Sequence, residues 1–548
     1  MKILRRVFFY VALLIAVAFI ALTTSALLYK DRIINQFIRQ ANKQLNTPIT
    51  IGKMDVSVTD DFPRLSIVFH DVYVEDSHPG HYPLLTAKKI SFQLNPIQVW
   101  NGSYMVRGMK VEGCEANLKI DGDGRNNYTI VKQGAQNGSG IIAFDLSDVS
   151  LIRTTVHYVD LRLLQDFTFD SEKLVASIHS ASDIYDIDAT GDITSRKITI
   201  GEESYFKEKS FDVKSQLLYD DNKKFLTIRP SELRLKSSAF TVSGSYSWKE
   251  ANMIDLATTG KNTDIQTLFS LLPESTSNKF EKYRSKGAVY FDARLVGPIS
   301  SSSSPALTIN FGFDKATLYH PDYKTKIEEA TLKGSFSSRD VSDLTKASLT
   351  LNNITGKLNN EDFQANFSMR NFSDPDVVLD FKGKIDAPAL LDFYPIENFK
   401  YASGSFVVDI AIDGKINLLK NKATAQRVST QGTVDMQHIN LLYGKQHIPL
   451  EDLNGNLQFS NNDLALSNVS CRLGSSDFLL NGFFKNIITF LLFDNQPIGI
   501  ETDLKSRFID LNELFAYGFG NASEGKENDQ YTFRLSPHVN LNFNCDIK

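Results

Sequence analysis

The chain has 548 residues, 42% of them hydrophobic and 22% charged, so it is ordinary for ordered protein but too long for one compact core. A net charge of −5 offers no basic face for nucleic acid. Cys114, Cys471 and Cys545 are odd in number and far apart, which argues against a disulfide framework or a cysteine metal site.

Residues 7–29 (VFFYVALLIAVAFIALTTSALLY) carry no charge over 23 positions, enough to cross the hydrocarbon core of a bilayer. Lys2, Arg5 and Arg6 precede them, so the expectation is a cytoplasmic tail at 1–6 and export of everything after Tyr29. The stretch exceeds the 7–15 residues of a signal-peptide core, which favours an uncleaved anchor over a cleaved leader. Residues 487–493 (IITFLLF) are too short for a second span.

Residues 31–45 place Ile33, Ile34, Phe37, Ile38 and Leu45 at helical spacing, predicting a short amphipathic helix. After Pro48 the apolar period becomes two and stays there. Leu65, Ile67 and Phe69 alternate, as do Ile90, Phe92 and Leu94, and Ala116, Leu118 and Ile120. Serines 300–304 read as a loop between strands. The last strand runs from Val539 through Leu541 and Phe543 to Cys545 without a closing polar cap, so the array is expected to continue.

The pattern repeats. Leu226, Ile228, Leu235, Phe240, Val242 and Gly244 fall on Leu464, Leu466, Leu473, Phe478, Leu480 and Gly482 at an offset of 238. A worn copy, Leu349, Leu351, Leu358, Phe363 and Ala365, stands at an offset of 123. Asp264, Asp386 and Asp510 each precede a short apolar-faced turn and are suited to cap a helix. Leu332-Lys-Gly334 recurs as Leu453-Asn-Gly455. The unit is mostly antiparallel strand with one helical turn.

Motifs that bear chemistry are scarce. Asp121-Gly-Asp123-Gly-Arg125-Asn126 opens like a calcium loop, but Arg125 holds a ligand position and Lys132 replaces the final glutamate, so it reads as a hairpin turn. His78-Pro-Gly-His81 lacks a third ligand nearby. No nucleophile elbow, zincin, P-loop or dinucleotide fingerprint is present. The expectation is a non-enzyme without catalytic residues, metal or cofactor.

The first 135 residues carry an ordered set of strand signatures. Thr50-Ile-Gly52 comes first, then Phe62-Pro63-Arg-Leu-Ser-Ile-Val-Phe-His-Asp-Val-Tyr-Val-Glu-Asp76. Ala87-Lys-Lys-Ile-Ser-Phe-Gln-Leu94, Val99-Trp-Asn-Gly102 and Leu118-Lys-Ile-Asp-Gly-Asp-Gly-Arg-Asn126 follow. This progression resembles the AsmA family of bacterial envelope proteins. The resemblance implies an inner-membrane anchor, a chorein-like N-terminal region over 30–140, and a periplasmic β-sheet over 141–548 curled into a hydrophobic groove. It further implies a role in outer-membrane biogenesis through lipid transport. Phospholipid acyl chains, the inner membrane and periplasmic or outer-membrane proteins would be the partners.

The groove-lining candidates are Leu226, Ile228, Leu235, Phe240, Val242, Leu464, Leu466, Leu473, Phe478 and Leu480. Thr227, Arg234, Thr241 and Ser243 alternate with them and should face the other way. Roughly 20–25 strands at about 4.8 Å each would build a path of about 100–120 Å. The same alternation would serve a filled core, making the chain a structural tether that binds a protein partner. A glycan-acting enzyme finds no paired carboxylates to support it.

Overall fold

The computed structural model describes most of residues 45–516 together with 539–547. The longer stretches outside it are 1–44 apart from Thr24, 58–63, 99–103, 131–141, 275–283, 320–325, 394–398 and 517–538. The expected anchor at 7–29 and the amphipathic stretch before Leu45 therefore lie outside the described residues, Thr24 aside. No helix among the described residues is long and apolar enough to cross a membrane.

The described chain is mainly β, and it divides into two compact units. The first holds β1 (Ile49–Ser57), β2 (Leu65–Glu75), β3 (Pro83–Leu94), β4 (Tyr104–Ile120), β5 (Ile142–Asp160), β6 (Gln165–Ala181), β7 (Ile184–Ile200), the two-residue β8 (Glu203–Ser204), β9 (Lys209–Asp220), β10 (Phe225–Leu235) and β11 (Ser238–Ser247). Strands β12 (Met253–Asp264) and β13 (Ala288–Pro298) are shared between the units. The second holds β14 (Ala306–Tyr319), β15 (Lys326–Ser338), β16 (Ala347–Leu358), β17 (Glu361–Arg370), β18 (Asp376–Asp386), β19 (Phe399–Lys415), β20 (Ser429–Tyr443), β21 (Ile448–Ser460), β22 (Asp463–Leu473), β23 (Ser476–Lys485), β24 (Ile498–Ser506) and β25 (Val539–Ile547).

Within each unit, strands pair with their chain neighbours. From β1 to β4, from β5 to β7, and from β7 through β9 to β11 the pairing is antiparallel. The second unit is antiparallel from β14 to β24. Two junctions depart from the expected antiparallel pattern: β4 lies parallel to β5, and β24 parallel to β25. Parallel neighbours need a long crossover, and both joins have long connections, 121–141 and 507–538.

Tight turns close the repeated hairpins. Asn359 and Asn360, at φ 50° and 67°, form the two-residue turn between β16 and β17, with both central residues in the left-handed region. The helical turns stand where the aspartates predict them. Asp264 Oδ2 accepts Thr267 N–H at 3.1 Å before the helix Ile265–Phe269. Asp386 Oδ2 accepts Ala389 N–H at 3.1 Å at the start of Ala387–Phe393. Asp510 Oδ1 accepts Asn512 N–H at 2.9 Å before Leu511–Ala516.

Closed cores occur in both units. Leu65, Ile67, Phe69, Val72, Val106 and Val111 pack together across β2–β4. In the second unit Met436, Ile439 and Val469 form a buried cluster across β20–β22.

Candidate functional site

Alternation decides which side chains share a face. In the first unit Leu226 opposes Tyr246, Ile228 opposes Gly244, Leu233 opposes Phe240 and Leu235 opposes Ser238. Opposed residues of an antiparallel pair project to one side. Ile228 and Leu235 are an odd number of positions apart, which in a regular strand would send them to opposite faces. A bulge between Ile228 and Ser231 restores the phase. Leu226, Ile228, Leu235, Phe240 and Val242 thus line one face of β10–β11, while Thr227, Arg234, Thr241 and Ser243 line the other.

The second unit repeats the device. Leu464 opposes Phe484, Leu466 opposes Gly482, Val469 opposes Leu480, Cys471 opposes Phe478 and Leu473 opposes Ser476, with a bulge between Leu466 and Val469. Leu464, Leu466, Leu473, Phe478 and Leu480 share a face of β22–β23. The worn copy on β16–β17 has the same shift between Leu351 and Ile354.

Burial separates the ten candidates into two groups. Leu235, Phe240, Leu464 and Leu473 are buried, at 3–7% exposure. Leu226, Ile228, Val242, Leu466, Phe478 and Leu480 are half-buried. Leu466 and Leu480 lean on the cluster of Met436, Ile439 and Val469, so that part of the face is filled by the protein's own side chains.

Strands β6, β7, β9 and β10 stand between β5 and β11 in the ladder, yet the charge of Asp160, at the end of β5, bears on the phenols of both Tyr158 on β5 and Tyr246 on β11. Burial, followed by the charge of Asp160, pushes the Tyr158 phenol up to about 12. Tyr246 is raised for the same reasons, and Tyr128 adds to both. Tyr158 also stacks on Phe167 with ring centroids 5.6 Å apart. Asp160, almost wholly buried, accepts the backbone N–H groups of Arg162 at 2.9 Å and Leu163 at 3.0 Å.

No cluster of three or more histidine, cysteine or acidic side chains suited to a metal occurs among the described residues. The Asp121 turn is closed internally, because Arg125 donates to Asp121 Oδ2 and Asp123 Oδ2 at 2.8 Å each. His78 Nε2 stands 3.2 Å from the carbonyl oxygen of Arg125, and His81 lies outside the described residues. Burial pushes the Cys114 thiol up to about 11 and raises that of Cys471, which leaves both poor nucleophiles.

Sequence reasoning found the apolar face and missed the bulges. The signal was present as a change of parity, from Leu226 and Ile228 to Leu233 and Leu235. Comparison with family models, with curated proteins and with solved structures returned no match.

Proposed function

We propose that the chain is an anchored envelope protein that carries phospholipid acyl chains along the apolar face of its sheet, in the service of outer-membrane assembly. The observation that carries this reading is the half-buried set Leu226, Ile228 and Val242, apolar side chains that share a face in the first unit and retain contact with solvent. Each methylene exposed to water costs about 0.8 kcal/mol, so a sixteen-carbon chain faces about 12 kcal/mol, and such a face offsets that penalty. The uncharged stretch 7–29 and the resemblance of the first 135 residues supply the envelope setting.

One observation favours a second reading, a structural tether. The cluster around Met436, Ile439 and Val469 fills part of the face in the second unit, as a rod with a closed interior would require.

Mass spectrometry of lipid retained by the purified full-length chain separates the two. The conduit retains phospholipid, and Val242→Asp loses it while the chain stays folded. A chain that purifies free of lipid from a lipid-rich membrane is a tether.

A further inference from the structure

Four turns meet at one end of the first unit, and one of them, 161–164, carries leucines where turns ordinarily carry polar residues. The turns are 76–80, 121–127, 161–164 and 201–202. Backbone hydrogen bonds tie them into a rim: Ser77 N–H to Asn127 O at 2.9 Å, Leu161 N–H to Ile120 O at 3.0 Å, and Gly201 N–H to Leu164 O at 2.9 Å. Tyr82, Tyr128, Leu161, Leu164 and Ile200 stand exposed on or beside it, Leu164 at 67% and Leu161 at 48%.

Leu164 is the most informative of these. Its φ is 52°, the left-handed region where glycine, asparagine or aspartate is the usual occupant. A leucine there gains no backbone advantage and, at that exposure, no burial. About two thirds of its surface is left to solvent. The rim also carries charge: Arg125 is held by Asp121 and Asp123, Arg162 lies 3.8 Å from buried Asp160, and Glu202 stands exposed beside Gly201.

The chain itself indicates what the rim meets. Residues 45–48 reach the sheet at this same end, with Asn46 N–H on Ile130 O at 2.7 Å and Glu75 N–H on Pro48 O at 3.2 Å. Fifteen residues separate Tyr29 from Leu45, which even fully extended span at most about 55 Å. The uncharged stretch 7–29 is thus tethered within that distance of the rim. We infer that Leu161, Leu164 and Ile200, flanked by Tyr82 and Tyr128, dip into the surface of the lipid bilayer that holds residues 7–29. Tyrosines beside leucines suit that boundary, where an aromatic ring is half apolar and half wet. The inference rests on the proposed function for its bilayer, and places the lipid-facing end of the first unit against the membrane.

The test uses the full-length chain in phosphatidylcholine–phosphatidylglycerol vesicles containing nitroxide-labelled lipid. Cys545→Ser removes the exposed thiol, and an environment-sensitive fluorophore is attached at Leu164→Cys, Leu161→Cys or Ser147→Cys. Ser147 is exposed near the far end of β5, about 40 Å along the strand from the rim. The expected result is blue-shifted emission with nitroxide quenching at 164 and 161 and neither at 147. Leu164→Asn suits the left-handed backbone, so it should keep the fold while reducing the quenching read from the label at 161. Equal quenching at all three positions, absence of quenching at 161 and 164 in a chain that floats with the vesicles, or a chain that does not float would each overturn the inference. Lipid cross-linking at Ile228 reports on the conduit separately, so the two ideas can fail apart.

Discussion

The side-chain oxygen of Asn366 accepts the backbone N–H of Asn353 at 3.0 Å, and Asn481 does the same for Asn468 at 2.8 Å. Asn353 and Asn468 are the left-handed residues of the two bulges, at φ 53° and 51°, and a bulge frees an N–H from the ladder. The equivalent position in the first hairpin is Pro230, which has no N–H, and there the capping asparagine is replaced by Ser243. Where the donor is missing, so is its acceptor. Strands β20 and β21 use the device reciprocally: Asn454 caps His438 and Asn440 caps Asp452, each at 2.8 Å.

Asn366→Ala and Asn481→Ala should therefore each cost about 0.5–1.5 kcal/mol in urea unfolding, with faster amide exchange at Asn353 and Asn468. Ser243→Ala should be close to neutral. Equal costs at all three positions would show that the caps do not hold the bulges.

Gly244 and Gly482 occupy one repeat position and both press against the neighbouring strand. A Cβ at Gly244 would strike the carbonyl of Asp255, and one at Gly482 the carbonyl of Glu501. Alanine at either site should destabilise by about 1–3 kcal/mol, read as a lower denaturation midpoint with unchanged slope. A neutral Gly244→Ala would mean that the strands are farther apart than described.

Charge placed on the apolar face should act according to burial. At Leu235, 4% exposed, aspartate should cost several kcal/mol, because a buried carboxylate finds no partner there. At half-buried Val242 the same residue should leave the melting temperature nearly unchanged and remove bound lipid. Matching losses of stability at both sites would favour the closed interior.

Alkaline stability carries the signature of the buried phenols. The folded pKa of Tyr158 lies above its ordinary 10, at about 12, so the folded state holds its proton more tightly than the unfolded chain. Its contribution is complete below pH 10, declines as pH rises between the two values and is gone above pH 12. Tyr158→Phe should flatten the stability curve in that window, followed by circular dichroism. An unchanged slope would place the phenol in water.

The two-residue period, the hairpins and the capping aspartates are legible because each is a local property of the chain. Phe240 and Phe478, for example, share a repeat position that spacing alone reveals. Strand direction at β4–β5 is not legible, since Leu118 and Val156 alternate alike whether their strands run parallel or antiparallel. The bulges are half-legible. Parity at Leu226 and Leu235 betrays a slip, but which residue absorbs it depends on the partner strand. Leu161 and Leu164 are invisible as a site, because a leucine in a turn gains meaning only when neighbouring turns bring others beside it.

The most direct measurement is photo-cross-linking in intact cells, with benzoylphenylalanine at Ile228 in one strain and at its neighbour Thr227 in another. If acyl chains travel on the apolar face, phospholipid becomes attached at 228 and not at 227. Equal labelling at both, or attachment at 228 only to the protein's own strands, would contradict the account.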